Sequence, residues 1–489
     1  MDTDELTPAE RRVWRAYATG TTVDFGEGEE EQARDPAHGD GWGPERTVRA
    51  RVLRALLLNG PQEPGEVAAL KVMGARITGV LNLRYATVGS VVHLGHCRFT
   101  DVPDFSGAQL TYLNLRDSVL PGLLLPRTRV DGSVRLTRCR IDGPVHLGGA
   151  QISGMLILER AELTASGPEP VLKLNHVSIE DDLCAPGLRT RGEIRLDGAA
   201  VAGSVDFEDA RLHHPGRAVI DAQTLVVEGD LLMRRVSTSG WIGLRGARVA
   251  GRLDLSYARL SNPGDTALRA SSCTVGELWL RGGPPLDGRL NLRRAQVDVL
   301  FLEPDVVPRE VQLGNLVYTT LTPHVPAERR LVMLEREAEG YVPHSYEQLT
   351  AAYRRVGDDQ AARLVQLAKQ RRLRSTRAWY GRIWGYVQDA TVGYGFRPLR
   401  ACAWLLSLLA VGSVAYALHH PRPLKAAEAP HFDPVFYTLD LLLPVISFGQ
   451  EGAFAPDGWY QTLSYALVIT GWILATTVVT GITRTVSRQ

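Results

Sequence analysis

For its first four hundred residues this 489-residue chain has no long uncharged apolar run, and it lacks most of what announces a catalyst. Its five cysteines, Cys97, Cys139, Cys184, Cys273 and Cys402, stand far apart without a CxxC, which excludes a disulfide framework and suits a reducing compartment. Ten phenylalanines against 48 glycines point to repetitive β structure, not one large aromatic core. A formal net charge of +1 argues for no polyanionic partner of the whole chain. The twelve histidines form no ligand set; His213-His214 falls in a loop segment and His419-His420 at the end of an apolar run. GxSxG, HExxH and P-loop motifs are missing, and the GEGEEE stretch near Gly26 lacks the third glycine and preceding strand of a dinucleotide fingerprint. The expectation is a non-enzymatic chain with no cofactor and no metal.

From Ala75 to Leu302 the chain repeats every eleven residues. Ala75 to Tyr85 reads ARITGVLNLRY, Thr128 to Arg138 TRVDGSVRLTR, Cys139 to Gly149 CRIDGPVHLGG, and Ala247 to Tyr257 ARVAGRLDLSY. Position 1 is small, 3 is β-branched or Leu, 5 is Gly, and 7 and 9 are aliphatic. Side chains alternate faces along a strand, so the pairs at 1,3 and 7,9 point inward from two short strands. Gly at position 5 is read as a corner with positive φ. One such unit cannot close a coil; two, about 22 residues, make one turn of a four-sided β-solenoid. Cys97 and Cys139 occupy position 1 and belong to the core. Three segments break the register, Thr164 to His176, His213 to Thr224 and Ser261 to Ser271, and read as loops from one corner.

The spacing resembles that of pentapeptide-repeat proteins, whose unit places a small residue two before a central Leu. Here the pairs recur every six and five residues, so one face per unit carries an extra residue. Gyrase inhibition by DNA mimicry, known for some of that family, needs an acidic rod. Residues 75–302 carry 27 Arg and Lys against 24 Asp and Glu, so nucleic-acid mimicry is not expected.

Residues 1–70 read as a helical cap: Thr7 to Glu10 is a capping box for a helix ending near Gly20, and a second helix is expected from Pro44 to Leu58, with a mobile acidic loop from Gly26 to Asp40 between them. Residues 303–344 form an exit linker. Residues 345–396 begin as a helical hairpin capped at Ser345, similar to one tetratricopeptide unit but unrepeated, and continue into a basic interfacial run. There Arg371, Arg372, Arg374, Arg377, Trp379 and Trp384 suit anionic headgroups and aromatic anchoring better than nucleic acid. Thr391 to Gly395 spells TVGYG, a potassium-filter sequence, but it precedes the first apolar run instead of lying between two, so it is read as a glycine elbow.

Residues 397–489 hold two uncharged apolar stretches, Ala401 to Leu418 and Trp459 to Ile482. Crossing ~30 Å of hydrocarbon takes about 20 residues, so two transmembrane helices are expected. Basic residues before the first and after the second, with an acidic start lacking a signal sequence, place solenoid and both termini in the cytosol of an inner-membrane, multi-pass protein. Between the spans, Asp433 and Pro434 open an apolar half-helix that Pro444 should end. Either it re-enters the bilayer, making Asp440, Ser447, Gly449 and Gln450 a candidate pore segment, or it lies flat outside with Asp440 in water.

This tail resembles the ion-channel-like ends of some bacterial pentapeptide-repeat proteins, a likeness that covers residues 397–484 and rests on helix order. The whole chain is similar to actinobacterial solenoid proteins whose relatives often carry the label membrane-associated oxidoreductase. That resemblance implies redox chemistry, for which no residue pattern speaks. Membrane lipids, further copies of the chain and a protein bound to the solenoid are the expected partners. The leading reading is a membrane-anchored interaction or sensing scaffold; a solenoid-regulated pore and an unrecognised redox enzyme are the alternatives.

Overall fold

The computed structural model describes residues 5–165, 167–375, 398–425, 430–443 and 446–486, with side chains except at 31, 375, 398–401 and 475–486. These form two compact units, Met1–Gln348 and Leu349–Gln489.

The first unit is a parallel β-solenoid of about 12 turns. One coil illustrates it, with strands Arg129–Val130, Val134–Arg135, Arg140–Asp142 and Val145–His146 along its four sides. Arg129 pairs with Gln151, Val134 with Leu156 and Arg140 with Glu162, each 22 residues on, so two eleven-residue units make one turn. The four ladders of strands are here called first to fourth in the order of those strands. Positions 1, 3, 7 and 9 point inward: Thr128, Val130, Val134 and Leu136 are all at most 1% exposed. Cys97 and Cys139 sit at position 1 as expected, their thiols donating to the carbonyls of Gly95 and Leu115. Burial pushes both thiols up to about 12, which makes them inert packing groups.

The expected positive φ holds for the glycine at position 5 in some units, Gly79 (80°), Gly192 (135°) and Gly240 (127°), but not at Gly132, Gly143 or Gly154, which have another cause. A left-handed residue recurs at position 11, as at Arg138, Arg160, Asp209 and Tyr257, with φ between 50° and 61°. At Gly132, Gly143 and Gly154 successive coils touch: a Cβ on Gly143 would lie 2.1 Å from the Pro121 carbonyl oxygen, and one on Gly132 2.7 Å from that of Thr111.

All three register-breaking segments fall at the corner between the third and fourth ladders, but only the first is a loop, leaving Glu162–Thr164 and returning at Leu172–Lys173. The others are bulges within the unbroken strands Arg211–Asp221 and Arg259–Arg269, with register jumps from His213 to Ala218 and from Ser261 to Thr266. Pairing on either side of each jump holds the ends of these stretches in the ladders, while Gly216 and Gly264 take left-handed φ of 70° and 84° within them.

Helix Pro8–Thr19 has the expected capping box and a left-handed Gly20. Its Glu10, fully buried, also accepts from the backbone N–H of Arg49 (3.1 Å) and from its guanidinium Nε (2.6 Å). Burial works to raise the Glu10 pKa, but the Arg49 side chain and the N–H groups of Thr7 and Arg49 outweigh it and hold the carboxyl below its usual range. The second helix runs Ala50–Asn59 and does not start at Pro44, because Thr47–Arg49 joins the third ladder by pairing with Arg76–Thr78. The acidic segment expected to be mobile is instead tied down, by Arg34 to Asp24 (2.9 Å), Arg46 to Glu29 (3.3 Å) and Arg98 to Asp40 (2.7 Å).

Strands continue past the legible repeat to Val317–Thr322. Helix Ala327–Glu335 then covers the end, its buried Arg330 donating to the carbonyls of Leu302 and Pro323. Helix Pro343–Arg355 begins two residues before Ser345, whose hydroxyl donates to Leu313 O; Gln348 donates to Tyr318 O (2.6 Å).

The second unit contains helices Asp359–Ser375, Pro398–Leu418, Pro434–Leu442 and Trp459–Val486. The nine-residue Pro434–Leu442 packs against both long helices around Tyr416, Tyr437, Leu441, Leu442 and Leu467. Glycines permit the close approach: a Cβ on Gly412 would lie 2.3 Å from Thr438 Cγ2, and one on Gly471 2.3 Å from the Leu442 carbonyl oxygen. Among the described residues no helix is long and apolar enough to cross a membrane. The described side chains of the two long helices cover 402–418 and 459–474, short of the about 20 residues a bilayer takes.

Candidate functional site

The sequence singles out Asp440, Ser447, Gly449 and Gln450; Asp440 stands on the half-helix Pro434–Leu442 and the other three in the segment after it. Asp433 caps that helix, accepting from the N–H groups of Val435 (2.8 Å) and Phe436 (3.2 Å). Asp440, 5% exposed, turns back on the segment that follows. Its Oδ1 accepts from Phe448 N–H, and its Oδ2 from Gln450 N–H (2.7 Å) and Glu451 N–H (3.1 Å). Gln450 donates to His431 O (3.1 Å), Ser447 Oγ accepts from Gly449 N–H (3.2 Å), and Gly449 takes φ 79°. Three backbone N–H donors satisfy both oxygens of this buried carboxylate. Asp440 therefore anchors the loop within its own protomer. Both its oxygens are engaged there. Pro444 lies outside the described residues.

Of the interfacial residues, Arg371, Arg372 and Arg374 stand on the last turns of Asp359–Ser375. Arg377, Trp379, Trp384 and the TVGYG stretch lie outside the described residues.

A feature that sequence reading missed runs along the third ladder. Stacked pairing places Arg76 beside Arg98, Arg98 beside Val119, Val119 beside Arg140, Arg140 beside Glu162, Glu162 beside Arg189, and Arg189 beside Arg211. Two residues further along the same strands stand Arg191 and His213, which pair with each other. Arg189 bonds Glu162 (2.9 Å), whereas Arg160, Arg191 and Arg211 are exposed with no carboxylate within 4 Å among the described residues. An open hollow of about 670 Å³ lies here, lined by Glu162, Thr164, Arg189, Arg191, Arg211 and His213 among others. The signal was an Arg after the position-1 residue, as in Ala75-Arg76, Cys97-Arg98, Cys139-Arg140, Leu188-Arg189 and Ala210-Arg211, but it also occurs off this face, at Arg129 and Arg248, so the eleven-residue average does not single out this face.

Among the described residues no group of three His, Cys, Asp or Glu side chains is arranged to hold a metal ion. The fold and these two features define the class, a parallel β-solenoid with a basic face and a separate helical unit built on a half-helix and returning loop. No particular family follows from it: comparison with protein-family models, curated proteins and solved structures gave no significant match.

Proposed function

We propose that the chain is a membrane-anchored, non-catalytic scaffold whose β-solenoid binds a partner in the cytosol while the helical unit holds it at the inner membrane. The observation that carries this reading is the outward face of the helical unit. Leu406, Val411, Val414 and Leu418 on one long helix are 59–79% exposed, and Tyr465 and Ile469 on the other 60–62%. These residues lie within the uncharged stretches 401–418 and 459–482. An apolar exterior on that scale is disfavoured in water at about 25 cal/mol per Å² and is covered by lipid or by further copies of the chain. The Asp440 carboxylate is turned inward onto the backbone of its own segment, an arrangement that suits a bilayer. The experiment is membrane partition: the full chain stays with membranes washed in alkaline carbonate, and deleting 398–489 releases the solenoid into the supernatant. Release of the full chain by carbonate would refute the anchor.

A second reading, an oligomeric pore, is favoured by one observation, the half-helix and ordered loop seated between two long helices.

A further inference from the structure

We propose that the third-ladder face of the solenoid is a docking track for an acidic peptide, with Arg189, Arg191 and Arg211 as its anchoring residues. The inference rests on the scaffold reading and names the partner's chemistry. Its basis is that the chain already seats an acidic segment, the 3-10 helix Pro36–Gly41 capped by Asp35, on the other end of the same track. In the N-terminal acidic stretch, Asp40 bonds Arg98 (2.7 Å) and Asp35 approaches Arg140 (3.8 Å). Those arginines stand two coils apart, with Val119 between them. With coils ~4.8 Å apart, a five-residue advance carries the segment along the solenoid axis from one guanidinium to another. It lies close, since a Cβ on Gly39 would come 2.6 Å from Arg98 Cβ.

Past Arg140 the seated segment ends but the arginines do not. Arg189 and Arg211 are direct neighbours; Arg189 already bonds Glu162 (2.9 Å), whereas Arg211 has no carboxylate within 4 Å among the described residues. Arg191 and Arg160 flank them without a carboxylate among the described residues, and the hollow along Arg189, Arg191 and Arg211 leaves room for a chain. Guanidinium forks match carboxylates in a bidentate manner. The occupant visible on the track is a carboxylate-bearing stretch of polypeptide, which favours an acidic peptide over a phosphodiester.

The test uses the full chain in mild detergent and a fluorescent peptide of alternating Glu and Ser, read by anisotropy. Arg189→Gln/Arg211→Gln is expected to weaken binding at least tenfold with unchanged melting, whereas Arg129→Gln, on the first ladder, leaves it within twofold. Asp35→Asn/Asp40→Asn, which uncovers Arg98 and Arg140, is expected to tighten binding severalfold. Absence of peptide binding, equal affinity in the double arginine variant, no tightening in the aspartate variant, or tighter binding of a single-stranded DNA of equal charge would each overturn the proposal. Membrane partition of the arginine variant is expected to match that of the parent, so failure of the anchor and failure of the track are read separately.

Discussion

Glycine at the fifth position is a contact between coils at Gly132, Gly143 and Gly154, and its loss there should be felt as a clash. Gly143→Ala forces a methyl onto the Pro121 carbonyl, and a stability loss of about 1–3 kcal/mol is expected. Gly167→Ala, where no atom lies within 4 Å, is expected to be neutral; thermal unfolding of both variants checks the pair. Glu10 makes a second residue-level prediction. Its folded pKa lies below the unfolded value near 4.5, so its contribution is present above pH 4.5 and lost as the pH falls through the lower folded value. Glu10→Gln should therefore cost about 2 kcal/mol at pH 7, as hydrogen bonds to a charged group do, and much less at pH 3. Denaturant titration at the two pH values measures the difference. The sequence displays both residues openly, the glycine by its period and Glu10 by its capping box. It hides their reasons, because Pro121 lies in the preceding coil and Arg49 is 39 residues away.

At the scale of elements the coil is the unit of stability. Deleting 129–150 removes one turn and leaves the remaining ladders in register, whereas deleting 129–144 removes three of four sides and misaligns every inward pair downstream. The first deletion is expected to retain parallel β circular dichroism and cooperative melting, and the second to lose both. Leu255→Asp, at a position 2% exposed in the aliphatic interior, buries an unpaired carboxylate and should cost several kcal/mol, read in the same melts. The eleven-residue unit is legible because inward pairs recur at fixed offsets. Strand Thr47–Arg49 is not, since its Val48 reads equally well as part of the apolar face of the adjoining helix. The bulged strands at 211–221 and 259–269 also escape, because their order comes from neighbouring coils. The arginine track escapes for a related reason: its members are 21 to 27 residues apart and interrupted by Val119 and Glu162.

For the whole molecule, the half-helix supports two readings that make different demands. Asp440 spends its oxygens on the backbone of its own loop, so Asp440→Asn is expected to unravel that loop and lower thermal stability in detergent, not to alter ion selectivity in an assembled pore. Cation flux in proteoliposomes that falls in this variant while its melting stays unchanged would favour the pore instead. The half-helix is legible because an apolar segment opened by Asp433 and Pro434 between two uncharged stretches is a local pattern. The inward turn of the carboxylate depends on tertiary packing through Gly412 and Gly471 and could not be read from it. The central claim, a solenoid held in the cytosol by a membrane-embedded tail, meets its most direct test in cysteine accessibility in intact cells. In a background with Cys184 and Cys402 changed to Ser, the buried Cys97, Cys139 and Cys273 are silent towards maleimides. A cysteine replacing Ala453, between the two long helices, is then expected to react with an impermeant maleimide, while one replacing Arg129 on the solenoid reacts only after the cells are opened. Labelling of Arg129→Cys in intact cells, or protection of Ala453→Cys until they are opened, would contradict the account.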